Sequence, residues 1–121
     1  MPSLQTLNAF VAEVEAGSYV EAIERFYTDD ASMRENGDAQ RVGREVLMQG
    51  ERDVMARFGR ITCRIDGPPL VSGDHVAIRW RFDFETKAGS HLTLDEIAWQ
   101  TWRGEKIAEE IFFYDPKQLG R

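Results

Sequence analysis

Two glutamates, Glu96 and Glu35, are the residues best placed to do chemistry, and position is what singles them out. Val76, Ile78, Trp80, Phe82 and Phe84 alternate with Arg79, Arg81, Asp83 and Glu85, which is the period of a half-buried antiparallel strand. Lys87-Ala88-Gly89 suits a three-residue hairpin, and Gly104-Glu105 suits a two-residue hairpin with glycine first. Counted from these turns, Phe84 meets Leu92, Phe82 meets Leu94, Trp80 meets Glu96 and Ile78 meets Ala98. On the following strand Ala98 meets Ile111, Glu96 meets Phe113 and Gln100 meets Glu109. These residues share an inner face that is apolar except at Glu96, Gln100 and Glu109. A carboxyl set between Trp80 and Phe113 is costly to ionise unless paired or hydrated, so its pKa should rise and it should suit a general acid or base. A bond to a helix residue, or a one-residue slip turning Asp95 inward instead, would explain the same position without a function.

Glu35 ends the short extended segment Ala31-Ser32-Met33-Arg34-Glu35, just before the loop Asn36-Gly37-Asp38. At a pocket mouth it would be a second proton-handling group, and in solvent an ordinary loop acid. Tyr27 is the nearest hydroxyl that could donate to an enolate oxygen, as an isomerisation or aldol-type cyclisation of a small carbonyl compound requires. Phe10, Val14, Tyr27, Trp80 and Phe113 are the expected walls of a cavity, which would take a small apolar or aromatic molecule. A non-catalytic binder and an acid/base enzyme both fit these residues. The two His and the lone Cys63 have no metal-ligand spacing, and GxGxxG and GxSxG are both absent. Neither a metal nor a cofactor is therefore expected.

The elements that must position these groups can be read in order. Ser3 caps a first helix with Leu4, Leu7, Phe10, Val11 and Val14 on one stripe, and Gly17-Ser18 breaks it. Ser18 with Glu21 reads as a capping box opening a second helix, striped by Val20, Ile23, Phe26 and Tyr27. A third helix is expected from about Arg44 to Phe58, burying Val46, Leu47, Val54, Met55 and Phe58, with Glu51, Arg52, Asp53 and Arg57 as a solvated flank. Ile61, Cys63 and Ile65 alternate as another half-buried strand. Helices followed by an antiparallel meander favour an α+β fold, with the helices on the inner face.

The chain has 121 residues, 42% of them hydrophobic, and a formal net charge of −6. One domain spanning 1–121 is the expected organisation. No basic stripe is present for nucleic acid. No apolar run reaches the ~20 residues of a membrane span, the N-terminus does not read as a secretory signal, and a single Cys makes a reducing cytoplasm the default location. The outer face pairs Glu85 with His91, Arg81 with Asp95 and Trp99 with Glu110. It also carries Ile97, Phe112 and Tyr114, an apolar patch that a second copy of the chain would cover.

Phe26–Gly37 (FYTDDASMRENG), Val42–Gln49 (VGREVLMQ) and Asp95–Pro116 (DEIAWQTWRGEKIAEEIFFYDP) resemble the NTF2-like superfamily, in particular its SnoaL-like group of polyketide cyclases and ketosteroid isomerase-like proteins. The resemblance implies a cystatin-like cone, with about three helices packed on a strongly curved antiparallel sheet, a conical pocket and a homodimer joined through the sheets. Glu35 stands where ketosteroid isomerases carry their general base. Their two oxyanion donors fall on Phe10 and Ala98, neither of which can donate, so that particular activity is not expected.

Overall fold

The computed structural model describes residues 1–120. Helix α1 (Leu4–Glu15) starts at Ser3, whose Oγ accepts from the Thr6 backbone N–H at 3.1 Å, and it buries Leu7, Phe10 and Val11. Helix α2 (Tyr19–Phe26) buries Tyr19, Ala22, Ile23 and Phe26. Its expected capping box is not formed, because the Ser18 side chain makes no cap hydrogen bond. The chain passes from α2 straight into β1 (Tyr27–Glu35), then through β2 (Arg41–Val42), α3 (Arg44–Arg57), β3 (Phe58–Ile65) and β4 (Leu70–Ser72). The meander β5 (His75–Thr86), β6 (His91–Arg103) and β7 (Lys106–Phe113) follows, and a 3-10 turn spans Pro116–Leu119.

The result is α+β, with three helices against one curled seven-stranded sheet in the order β2-β1-β7-β6-β5-β3, and β4 beside β5. The sheet is mixed, which corrects the antiparallel expectation. β7 must run antiparallel to β6, to which a tight turn joins it, and β1 then fills the free edge of β7 in the parallel sense.

Between β5 and β6 the register is the one the turn predicts, with Trp80 opposite Glu96 and Phe82 opposite Leu94. β3 extends the inner face, placing Ile61 beside Phe84 and Cys63 beside Phe82. Between β6 and β7 the register departs from expectation. Arg103 meets Lys106 and Trp102 meets Ile107, but Thr101 then meets Glu109, leaving Ala108 as an extra residue. One inserted residue turns every later side chain to the opposite face. Glu110 and Phe112 therefore point inward, whereas Glu109, Ile111 and Phe113 point outward. Phe113, 48% exposed, is thus not part of the inner wall, and Phe112, expected outside, takes its place.

Helix α3 lies differently from expectation as well. It buries Leu47 and Met48, while Val46 and Met55 are exposed. On the outer face, Asp95 pairs chiefly with Arg79, at 2.7 and 3.0 Å, and more loosely with Arg81 at 3.7 Å. His91 lies 3.6 Å from Asp83 rather than bonding Glu85. Partly exposed pairs of this kind contribute about 0.2–1 kcal/mol each.

Candidate functional site

The curl of the sheet leaves a cavity of about 570 Å³ between its inner face and the helices. Phe10 and Val14 come from α1, Tyr19 and Ile23 from α2, and Tyr27, Met33 and Glu35 from β1. β5 supplies Trp80, Phe82 and Phe84, and β6 and β7 supply Leu94, Glu96, Glu110 and Phe112. Helix α3 crosses with Leu47, Gly50, Glu51, Val54 and Arg57, a stripe at helical spacing in which the polar members face inward alongside the apolar ones. Glu35, Glu96 and four of the five expected wall residues thus meet in one cavity; Phe113 is the exception.

Glu96 is 7% exposed and accepts no hydrogen bond from any described residue. Burial pushes its carboxyl up to about 8, and the nearby charges of Glu110, Glu35 and Glu51 push in the same direction. The side chain is therefore largely protonated at neutral pH, lodged beside Trp80 with its polar end towards the cavity.

Glu35 is not free. Both its oxygens meet the Arg41 guanidinium, the Nη2–Oε1 contact being 3.2 Å. This ion pair holds the Arg41 pKa above its ordinary value. A carboxylate so held is already engaged with a partner, and is suited to fixing the mouth of the cavity.

Two groups that the sequence placed outside the cavity, Glu51 on a solvated helix flank and Glu110 on the outer sheet face, belong to the site. Glu51 is half-buried, and burial raises its pKa to about 7, with Arg41 opposing and Glu35 reinforcing the rise. Its spacing from Leu47 and Val54 was the available signal. Glu110, 1% exposed, anchors a buried chain of hydrogen bonds. The indole N–H of Trp102 donates to Gln100 Oε1 at 2.9 Å, and Gln100 Nε2 donates to Glu110 Oε2 at 2.6 Å. The Tyr27 hydroxyl donates to the other Glu110 oxygen. Burial raises Glu110 to about 7 in spite of these bonds. Tyr27 is consequently committed to Glu110, which removes it as the donor to a substrate oxygen.

Cys63 donates to the Val14 carbonyl at 3.3 Å, and burial lifts its thiol to about 11, so it is a packing residue rather than a nucleophile. Among the described residues no three His, Cys, Asp or Glu side chains come together in a way that would hold a metal ion.

The same architecture occurs in other proteins. A Mesorhizobium loti protein, provisionally named a SnoaL-like polyketide cyclase with carbohydrate phosphatase given beside it, is 28% identical; the match covers 94% of this chain and 100% of that one with a TM-score of 0.81. TerC, co-crystallised with polyporic acid, shares 17% identity over 99% of this chain and 96% of its own, with a TM-score of 0.81. A Catenulispora acidiphila protein with a ketosteroid isomerase-like fold, in complex with trimethylamine, shares 19% identity over 93% and 87%, with a TM-score of 0.78. No curated protein matches the chain in sequence. Residues 7–110, running from α1 to the inward-turned Glu110, match the SnoaL-like domain. With its helices laid on a curled sheet and a cavity between the two, this chain belongs to the SnoaL-like family within the NTF2-like fold.

Proposed function

We propose that the chain binds a small, largely apolar molecule in the cavity, with the polar end of the ligand against Glu96. The observation that carries this reading is a glutamate more than nine-tenths buried whose carboxyl bonds no described residue and lies on the cavity lining beside Trp80 and Leu94. A ligand group that hydrogen-bonds this carboxyl gains about 0.5–1.5 kcal/mol. The volume lies within the range of pockets that enclose small molecules. Two neighbours of the same fold hold small molecules, polyporic acid in one and trimethylamine in the other, which supports a binding role for the cavity. Native mass spectrometry of the purified chain tests it. A co-purified or added apolar ligand should be retained, and retention should weaken in Glu96→Gln; no retained mass at any ligand concentration would refute it.

A second reading, an acid/base enzyme acting on a small carbonyl compound, is favoured by one further observation. Glu96 and Glu51 line the same cavity with pKa values of about 8 and about 7, where proton transfer at neutral pH is most effective. In that reading the protonated Glu96 supplies a proton or hydrogen bond to the substrate oxygen, an ionised Glu51 takes the proton from carbon, and the Arg41-bound Glu35 shapes the mouth. Turnover lost in both Glu96→Gln and Glu51→Gln would distinguish the enzyme from the binder.

We further propose a homodimer through the outer face of the sheet. Ile97 and Phe113 are cross-strand neighbours there, and Leu70, Ala77, Trp99 and Ile111 form a row across β4, β5, β6 and β7. Ile97, Trp99, Phe113 and Leu70 are all exposed, and a second copy is the simplest cover for such a surface. Among the described residues no helix is long and apolar enough to cross a membrane. With a lone thiol requiring no oxidising compartment, we place the protein in the cytoplasm, which cell fractionation would check.

A further inference from the structure

The cavity carries an excess of acid that a neutral ligand does not use. Among the described residues its lining includes Glu35, Asp38, Glu51, Asp53, Glu96 and Glu110 against Arg41 and Arg57, and Arg41 is already held by Glu35. Acidic clusters often have no ligand. Here, however, Glu96 is 93% buried by the complement of its 7% exposure, makes no hydrogen bond to a described residue, and lines the cavity. We propose that the ligand is a cation, an amine or quaternary ammonium carrying an apolar or aromatic body, with its positive centre at Glu96. This rests on the binding reading above and names the chemistry of the ligand's polar end.

Three features converge on a cation. The lining that Glu96 shares is rich in aromatics, with Trp80 directly across the strand pair and Phe82, Phe84 and Phe112 elsewhere on the same cavity. Ring faces attract cations, most strongly where water is excluded. Next, an anionic ligand would have to enter against several carboxyl groups with one uncommitted arginine among the described residues, Arg57, to offset them. A neutral carbonyl would pair with the protonated Glu96 alone and bring no positive charge to Glu51 or Asp38 on the same lining. Finally, Asp38 and Asp53 stand exposed on the same lining, and a chain of net charge −6 draws cations towards such a mouth.

In the free protein a proton does the work of the cation. Glu96 faces Glu110 on β7, Glu35 and Tyr27 on β1, Glu51 on α3 and Cys63 on β3. Arg41 on β2 and Arg57 on α3 are the cations on the same lining. Burial and the neighbouring acids keep Glu96 protonated to about pH 8. Binding a fixed positive charge at that carboxyl displaces the proton. Affinity for a cation must then rise with pH across the Glu96 titration, and affinity for a carbonyl compound that accepts from protonated Glu96 must fall.

Benzyltrimethylammonium, whose charge does not depend on pH, and neopentylbenzene, its uncharged carbon counterpart, separate the possibilities. Calorimetric or Trp-fluorescence titration of the full chain should show the ammonium binding about tenfold more tightly at pH 9 than at pH 7. The hydrocarbon should change by less than twofold, and Glu96→Gln should remove the ammonium's gain. In wild type alone, titrations near pH 7 in two buffers of different ionisation enthalpy should report close to one proton released per ammonium bound. A hydrocarbon that binds while the ammonium does not, or an ammonium affinity that is flat or falling with pH, overturns the cation while leaving the binding reading intact. Failure of both probes to bind at millimolar concentration overturns both.

Discussion

Replacing Glu96 by Gln should stabilise this protein in alkaline solution and do little in acid. The unfolded chain gives Glu96 its ordinary pKa of 4.5, and the fold holds it at about 8. The raised value means that the folded state binds the extra proton between these limits, so stability is fully present below pH 4.5 and is lost as pH rises to 8. At about 1.36 kcal/mol per pH unit the loss reaches roughly 5 kcal/mol above pH 8. Gln has nearly the same shape and no charge, so it escapes that loss. The two proteins should therefore differ by no more than about 1 kcal/mol at pH 5, with the variant ahead by several kcal/mol at pH 9. At about 4 °C per kcal/mol for a chain of this length, the melting temperatures would diverge by 10–20 °C. Glu51 and Glu110, which burial raises to about 7, are present in both proteins, so the difference between them reports Glu96 and its coupling to these neighbours. Urea melts of both proteins at pH 5, 7 and 9 provide the measurement. Stability curves that stay parallel across that range would refute the claim that burial in the fold keeps Glu96 neutral.

Tyr27→Phe removes one of the two hydrogen bonds to a fully buried Glu110 and should cost about 1–3 kcal/mol in a denaturant melt at pH 6. Deleting Ala108, the residue left over between the Trp102–Ile107 and Thr101–Glu109 pairs, would remove the bulge and leave Glu109 outward and Glu110 inward in an unbroken ladder; a native-like circular dichroism spectrum is expected, and loss of the folded spectrum would contradict the register. Trp99→Asp should convert the dimer to monomer in sedimentation without altering the Glu96 titration, whereas wild type sedimenting as a monomer at micromolar concentration would dispose of the dimer. Glu51→Lys would bring a cation to the cavity lining opposite Glu96, and should lower the NMR-observed Glu96 pKa by about 1 or more; an unchanged value would place Glu51 outside the site.

Glu96 was legible because one polar residue interrupts an apolar alternation whose register two turns define, and the Trp80–Glu96 pairing is found in the structure. The failure one strand later has an equally local origin. Ile107-Ala108-Glu109-Glu110-Ile111 reads acceptably in either register, because shifting by one merely exchanges one glutamate for the other. Which of them is inside depends on the Ala108 bulge, on the Tyr27 hydroxyl from β1 and on the Gln100 amide from β6, partners distant in sequence. Glu51 was hidden by its neighbours, since a run of charges on a helix is ordinarily a solvated face and only the position of the cavity reverses that. The parallel contact of β1 with β7 left no local trace, being a pairing between the two halves of the chain.

That contact also bears on the order in which the molecule can assemble. β1 is flanked by the two-residue β2 on one side and by β7 on the other, so the main ladder available to the first third of the chain forms with nearly the last strand made. Tyr27 and Glu110 are 83 residues apart, and closing so long a loop costs entropy before any contact repays it. The meander of β5, β6 and β7 needs only short turns and can pair early, whereas α1, α2 and β1 have no complete surface to dock on until it has done so. Folding on the ribosome is therefore expected to be late and abrupt. A chain ending at Arg103 should remain protease-sensitive throughout, and its exposed N-terminal helices, Phe10 and Phe26 among their apolar residues, are the segments a chaperone would hold in the interval.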